Sequence, residues 1–174
     1  EINLPYASVG ATENTLLAAV LAEGKTVIEN AAREPEIVDI VKMLKNMGAQ
    51  ISGEGTSEIT IEGVPSLNPT NHDVVGDRVV AGTFIAALAS TGGSGSIIGI
   101  NENTLPMEIK KFQEMGLNIN INDNSLTVES TNNYNAIEFS TLPFPGVATD
   151  LQPIFGAALL KAEGCSTVDA REPF

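Results

Sequence analysis

The feature that most constrains the fold of this chain is an internal repeat. Residues 34–51, EPEIVDIVKMLKNMGAQI, return in altered form as residues 104–119, TLPMEIKKFQEMGLNI. Both segments end in Met-Gly, one further residue, a polar residue and Ile, so that Gly48 and Gly116 are equivalent positions. Repeats of this kind are typical of chains in which one supersecondary unit is used several times.

A second set of glycines follows the repeat. The interval from Gly24 to Gly92 equals the interval from Gly48 to Gly116. A partial third copy, KAEGCSTVDA at residues 161–170, places Gly164 beyond Gly92 at a slightly longer interval. In the first two copies the glycine follows apolar residues at helical spacing, a pattern typical of a helix C-terminus. We therefore predict that a helix stopped by glycine opens each of these copies.

Each copy continues with the same predicted elements. A strand leads to a second amphipathic helix with proline near its first turn, at Pro35 or Pro106, where the missing N–H costs nothing. That helix ends at Gly48 or Gly116, and two short strands then pair around a polar turn. With residues 2–4 as the opening strand, the predicted unit is βαβαββ. The predicted later strands are 26–29, 49–52 and 58–61 in the first copy, and 96–100, 117–121 and 125–129 in the second.

A turn-rich segment separates the two copies. Residues 63–78, GVPSLNPTNHDVVGDR, contain the only histidine, His72, which is interpreted as a solvated loop residue. We place a boundary near Gly76, so that the predicted domain parts are residues 1–75 and 76–174. Because a single unit would leave an apolar face exposed to water, the chain is expected to need further units or a partner chain.

Composition excludes several classes of function. The chain has 22 acidic and 9 basic residues and a net charge of -13, which disfavours broad binding to nucleic acid. No apolar run reaches the roughly 18 to 20 residues of a membrane span. The single cysteine, Cys165, cannot form an internal disulfide and is interpreted as a small buried side chain, and no Cys/His cluster has metal-ligand spacing. These features predict a soluble cytoplasmic protein without a metal.

The segment SVGATEN, residues 8–14, has two interpretations. In the first, Ser8 or Thr12 caps a helix, with Glu13 in the positive first turn. In the second, the backbone N–H groups of Ser8, Val9 and Gly10 form an anion site at the helix start. The spacing alone leaves both open.

The segment PGVATDLQP, residues 145–153, poses a similar question. Asp150 is either a helix cap or a carboxylate kept ionised at a helix start, where it could accept a proton from a substrate hydroxyl. The prolines on both sides make the chain rigid here, which favours a shaped site.

Five motifs carry a resemblance to a known family. In chain order they are SVGATEN, AEGKTVIENAAREPEIVD, MGAQISGEGTSEITIEGV, DRVVAGTFIAALA, and ATDLQPIF followed by AEG. Together they resemble the UDP-N-acetylglucosamine 1-carboxyvinyltransferase family of enolpyruvyl transferases over nearly the whole chain. The resemblance implies an inside-out α/β barrel with two domains, each built of three such units. Residues 1–75 would be the C-terminal part of the domain with the sugar-nucleotide site and phosphoenolpyruvate loop, and residues 76–174 part of the second domain.

The resemblance also implies site residues and a reaction. The residues implied to contact the UDP-sugar are Tyr6, Ala7, Ser8, Val9 and Gly10, and some family members carry lysine at the position of Tyr6. Asp150 would accept the proton of the sugar 3-hydroxyl while the enolpyruvyl group of phosphoenolpyruvate is added, without a cofactor. This is the first committed step of peptidoglycan synthesis, which supports cell-wall growth and division.

The resemblance further implies that the chain is a fragment. It lacks the family's cysteine loop and most of its phosphate-binding cations, so Cys165 is not the reactive cysteine. We expect it to be inactive alone and to act with the remainder of the two-domain enzyme. No role is assigned to Arg171 or Glu172. The alternatives are an enolpyruvyl transferase of the shikimate-pathway type and a non-catalytic scaffold of the same units.

Overall fold

A computed structural model describes residues 1–131 and 133–170. The chain divides into two compact units, Glu1–Val75 and Gly76–Phe174. The division follows Val75, within the turn-rich segment between the repeats and beside the predicted boundary near Gly76. The assignment of each unit to a particular domain of a longer enzyme stays a prediction.

The first unit has the order of elements that the repeat predicts. Its elements are β1 (Ile2–Asn3), α1 (Val9–Ala19), β2 (Lys25–Glu29), α2 (Pro35–Asn46), β3 (Gln50–Ser52) and β4 (Glu58–Glu62). They form one four-stranded sheet in the order β1-β2-β4-β3. Strand β1 runs parallel to β2, and β4 is antiparallel to both β2 and β3. The predicted βαβαββ unit is confirmed.

The second unit contains another copy followed by part of a third. The second copy consists of α3 (Arg78–Thr91), β5 (Ser94–Ile98), α4 (Pro106–Met115), β6 (Asn118–Asn122) and β7 (Ser125–Glu129). The third consists of β8 (Tyr134–Asn135), β9 (Glu138–Thr141), α5 (Gln152–Leu159), β10 (Ala162–Glu163) and β11 (Thr167–Ala170). The second copy forms a sheet in the order β5-β7-β6. In the third copy, β8 and β9 precede α5 and pair in parallel with β10 and β11, which follow it. In the first unit, β1 and β2 lie on either side of α1 in the same way.

One predicted strand is misplaced. Strand β5 begins at Ser94 and ends at Ile98, so both of its ends come earlier than in the predicted strand 96–100. The early end is explained by Gly99, whose φ of 87° interrupts the extended backbone directly after Ile98.

Each unit has its own core. In the first unit, side chains of α1 and α2 pack against the sheet. The most buried are Leu16, Ile37 and Val41 on the helices and Ile28, Ile59 and Ile61 on the strands. In the second unit, Phe112 of α4 stacks on Phe155 of α5 with ring centroids 4.0 Å apart. Leu126, Val128 and Leu151 complete the centre of that core.

The helices that open the first two copies keep part of their apolar surface exposed. Leu17 of α1 is exposed, as is Leu21 in the turn that follows the helix, and Val80 and Phe84 of α3 are exposed as well. Within the described part of the chain, no helix combines the length and apolar character required to cross a membrane.

Candidate functional site

The start of α1 is a capped helix N-terminus. Ser8 has extended backbone (φ -86°, ψ 123°), and its Oγ accepts a hydrogen bond from the amide of Ala11 at 3.3 Å. Ser8 is therefore the cap, as one interpretation predicts. The alternative cap, Thr12, is wrong, because it lies inside the helix and its hydroxyl donates to the Ser8 carbonyl at 2.8 Å. Glu13 lies beyond the first turn, which carries no acidic residue.

Two backbone amides are open at this helix start. The Ser8 amide donates to the Tyr6 carbonyl at 2.8 Å, so it is already engaged within the turn. The amides of Val9 and Gly10 have no hydrogen-bond acceptor within residues 1–131 and 133–170. Gly10 is exposed, and a Cβ placed on it would meet no atom within 4 Å. The site therefore offers two N–H groups, the positive end of a helix and open space in front of Gly10.

A buried threonine holds this helix start in position. Thr12 is fully buried, and its Oγ1 accepts a hydrogen bond from the Ala32 amide at 3.0 Å. Ala32 lies between β2 and α2 and is also fully buried. This contact fixes the first turn of α1 to the connection that leads into α2.

Asp150 belongs to the second unit and lies on a short turn. It is the middle residue of the 3-10 turn Thr149–Leu151, which runs directly into α5, and it is exposed. The residues at the cap positions of these two elements are Ala148 and Leu151, and neither element has a side-chain cap hydrogen bond. The interpretation of Asp150 as a simple cap is therefore wrong.

A buried acid lies behind this turn. Glu108 of α4 is 1% exposed, and its Oε1 accepts a hydrogen bond from the Ala148 amide at 3.2 Å. The same oxygen lies 3.9 Å from Nη1 of Arg78, a buried residue at the start of α3. The Arg78 guanidinium also lies over the ring of Phe144, 5.8 Å from its centroid.

Burial raises the pKa of Glu108. Hydrogen bonds from its own backbone amide and from Ala148, together with the charge of Arg78, act in the opposite direction without cancelling this effect. The carboxyl group therefore binds a proton more readily than an exposed glutamate.

Sequence reasoning missed Glu108 and Arg78, although a signal was present for one of them. Glu108, Phe112 and Met115 have helical spacing and all are buried on α4. An acid on the apolar stripe of an amphipathic helix indicates a buried partner. The partner amide, that of Ala148, is too distant in sequence to be identified from spacing.

Two interpretations of single residues are corrected. His72 is not a solvated residue, because its side chain is only 12% exposed and its Nε2 lies 3.1 Å from Oδ1 of Asp39 on α2. Cys165 is exposed rather than buried, since it follows Gly164 in the short connection between β10 and β11. Arg171 and Glu172 lie outside the described residues.

Comparison with known proteins identifies what the chain is similar to. The family model for EPSP synthase (3-phosphoshikimate 1-carboxyvinyltransferase) matches residues 1–172. The chain is 50% identical over 167 residues to the UDP-N-acetylglucosamine 1-carboxyvinyltransferase of Nocardia farcinica, covering 96% of this chain and 39% of that protein. It is 47% identical over 168 residues to the protein of the same name from Mycobacterium tuberculosis, covering 97% and 40%. The chain thus spans about 40% of the length of the curated relatives it matches.

Solved structures show the same fold. The enolpyruvyl transferase NikO from Streptomyces tendae superposes with a TM-score of 0.79 at 23% identity, covering 95% of this chain and 40% of that one. EPSP synthase from Acinetobacter baumannii gives a TM-score of 0.63 at 24% identity, covering 97% and 40%. The predicted enolpyruvyl transferase fold is therefore confirmed.

Proposed function

We propose that this chain, which belongs to the EPSP synthase (3-phosphoshikimate 1-carboxyvinyltransferase) family, forms part of an enzyme acting on UDP-N-acetylglucosamine. That enzyme transfers the enolpyruvyl group of phosphoenolpyruvate to the 3-hydroxyl of the sugar. The observation that carries this proposal is the 50% identity over 167 residues with a relative named for that activity. The chain covers 39% of that relative, so the remaining parts of the enzyme must supply the other substrate contacts.

The start of α1 supplies contacts to the sugar nucleotide in this proposal. The open amides of Val9 and Gly10 and the positive helix end attract an anionic or strongly polar group even in a chain of net charge -13. Ser8 fixes the turn, and Tyr6 and Ala7 lead into it. Tyr6 is 45% exposed, which leaves its ring accessible to a ligand.

Asp150 supplies the general base. As the 3-hydroxyl oxygen of the sugar bonds to C2 of phosphoenolpyruvate, its proton passes to the Asp150 carboxylate. C3 of phosphoenolpyruvate takes up a proton from an acid in the remainder of the enzyme, and a tetrahedral adduct with a methyl group forms. Loss of a proton from the adduct's methyl group and departure of phosphate then re-form the C=C bond and give the enol ether of the sugar. An exposed carboxylate on a short turn can reach a substrate hydroxyl, and positioned bases of this kind contribute about 10²- to 10⁴-fold in rate.

The proposal includes a cellular setting. We place the reaction in peptidoglycan synthesis and the protein in the cytoplasm, with the rest of a two-domain enzyme as its partner. The names of the bacterial relatives support the choice of substrate over the shikimate-pathway alternative.

A chimera tests the choice of acceptor. This chain would replace the matching segment of the Nocardia farcinica relative, and phosphate release from phosphoenolpyruvate would be measured with UDP-N-acetylglucosamine or with shikimate 3-phosphate. We expect release only with the sugar nucleotide. Release only with shikimate 3-phosphate would favour the shikimate-pathway type. A chimera that keeps the relative's unfolding temperature and releases phosphate with neither would favour a non-catalytic scaffold.

Gly10→Ala tests the contact at the helix start. The added methyl meets no protein atom, so the fold is preserved, but it occupies the space in front of the open amides. We expect the KM of the chimera for UDP-N-acetylglucosamine to rise about tenfold, as for the loss of one hydrogen bond to a charged group. The control is Gly156→Ala on α5, which is also sterically free. Equal KM values in the two variants would remove Gly10 from the site.

A further inference from the structure

We propose that Glu108 is a positioning residue that fixes the Asp150 turn through the amide of Ala148, with Arg78 as its ionic partner. The proposal rests on the proposed function, because the orientation of Asp150 matters to a reaction only if Asp150 accepts the hydroxyl proton. Glu108 itself is buried behind the turn and does not touch substrate.

The first support is the position of Ala148. This residue is the N-cap of the 3-10 turn, with extended backbone at φ -62° and ψ 140°. Its carbonyl accepts a hydrogen bond from the Leu151 amide at 3.0 Å, and its own amide donates to Glu108 at 3.2 Å. Both polar groups of Ala148 are therefore fixed, one within the turn and one to α4.

The second support is a buried anchor on the other side of Asp150. Leu151 is fully buried, and its side chain packs against Gly82 of α3, where a Cβ would come within 2.8 Å of Leu151 Cδ2. Asp150 is thus exposed between two residues that contact different helices. The approach to the turn is also held, because Arg78 lies over the Phe144 ring.

The third support is the chemistry of the pair. A buried ion pair is often no more stabilising than well-packed apolar residues of similar size. An apolar residue at position 108 would leave the Ala148 amide without its acceptor, and the start of the turn would lose its link to α4. The carboxylate therefore links the turn to α4, which an apolar side chain could not do. Arg78 limits the free-energy cost of burying it.

The need for such support follows from the geometry of proton transfer. A general base must come within about 2.6–3.2 Å of the group it deprotonates. A displacement of about 1 Å at a reacting group can cost about 10²-fold in rate. A loosened turn should therefore lower kcat while leaving the affinity for the sugar nucleotide largely intact.

The kinetic test uses three variants of the chimera with the Nocardia farcinica relative. Glu108→Ala removes the acceptor and the charge, whereas Glu108→Gln keeps an oxygen that can accept from Ala148. Val128→Ala, on β7 of the same core, is the control for general destabilisation. We expect Glu108→Ala to lower kcat about 10- to 100-fold with KM for UDP-N-acetylglucosamine within about twofold. We expect Glu108→Gln to recover most of kcat and Val128→Ala to keep it.

Three kinetic outcomes would overturn the proposal. They are an unchanged kcat in Glu108→Ala, a loss in Glu108→Gln as large as in Glu108→Ala, and an equal loss in Val128→Ala. The last outcome would mean that only the stability of the unit matters.

Hydrogen exchange on the isolated chain separates this proposal from the proposed function. We expect the Ala148 amide to exchange at least about tenfold faster in Glu108→Ala than in the unaltered chain, as for a lost hydrogen bond of about 1.4 kcal/mol. The Leu117 amide, which donates to Phe112, serves as the reference and should not change to the same extent. Unchanged exchange at Ala148 would overturn the support role even with an active chimera. Faster exchange with a chimera inactive before any substitution would keep the support role and reject the proposed function.

Discussion

The start of α1 and the turn that carries Asp150 are held by different kinds of contact. At α1, the cap, the Tyr6–Ser8 turn and the Thr12–Ser8 bond all join residues that are close neighbours in sequence. At the Asp150 turn, the acceptor for Ala148 lies far away in sequence on α4, and its ionic partner lies on α3. The first site combines local backbone contacts with one buried hydrogen bond, from Ala32 to Thr12, whereas the second depends on the core of its unit.

The largest expected effect is at the second site. Glu108→Ala removes the acceptor of a buried amide and one partner of a buried ion pair, so we expect a loss of about 3 kcal/mol in the free energy of unfolding. Urea denaturation of the isolated chain would measure it. Glu114→Ala, which removes an exposed glutamate from the same helix, should cost less than about 0.5 kcal/mol. Similar losses in the two variants would contradict the long-range account of this site.

The next effect concerns a contact at the start of α1 that is not local. Thr12→Val removes the hydroxyl that accepts from the buried Ala32 amide, and we expect a loss of about 2 kcal/mol. Thr83→Val is a matched control, because Thr83 also donates to the carbonyl one helical turn earlier but is exposed on α3. Equal losses measured by urea denaturation would mean that the Ala32 contact contributes nothing beyond the helix itself.

A smaller effect is expected from the cap. Ser8→Ala removes the oxygen that accepts from Ala11 and should cost about 1 kcal/mol. Ser8→Asn keeps a capping oxygen without adding charge and should restore most of the loss. If Ser8→Ala proved more damaging than Glu108→Ala in the same denaturation series, the contrast between a local and a core-dependent site would be wrong.

The smallest effect is the dependence of stability on pH. Burial raises the pKa of Glu108 above its usual value of 4.5. At Glu54, burial would also raise the pKa, but hydrogen bonds from Lys45 and from its own backbone, with the charges of Lys45 and Lys42, lower it. The stability contributed by protonating Glu108 is present below pH 4.5 and is lost as the pH rises through the raised pKa. The contribution of Glu54 is present above pH 4.5 and is lost as the pH falls through the lowered pKa.

Denaturation at several pH values would test these opposite signs. The difference in unfolding free energy between the unaltered chain and Glu108→Gln should fall as the pH rises from 4.5. The same difference for Glu54→Gln should fall as the pH drops below 4.5. If both differences in unfolding free energy changed in the same direction with pH, one of the two carboxyl groups would lie in a different environment from the one described.

The difference between local and long-range contacts explains what the sequence could predict. The regularly spaced glycines, Pro35 and Pro106 are local signals, and they indicated the βαβαββ unit because helix ends and turns are set by nearby residues. Ser8 was recognisable as a cap for the same reason. The strand β5 was misplaced because the positive φ of Gly99 was not recognised as its end.

The support of the Asp150 turn could not be predicted in the same way. Its contacts join α3, α4 and the approach to α5, and they exist only when the core of the second unit is formed. The sequence indicated Asp150 through its motif, but the link from Glu108 to Ala148 required the tertiary structure. The burial of His72 beside Asp39 was missed for the same reason.

The central claim, that this chain carries the general base of an enolpyruvyl transferase, is tested most directly by Asp150→Asn. In the chimera, we expect kcat to fall about 100-fold or more while KM for UDP-N-acetylglucosamine stays within about threefold, because the substitution keeps the shape and removes the proton acceptor. Asp123→Asn, in the exposed hairpin turn between β6 and β7, should retain full activity. A chimera that keeps its kcat with asparagine at position 150 would contradict the account.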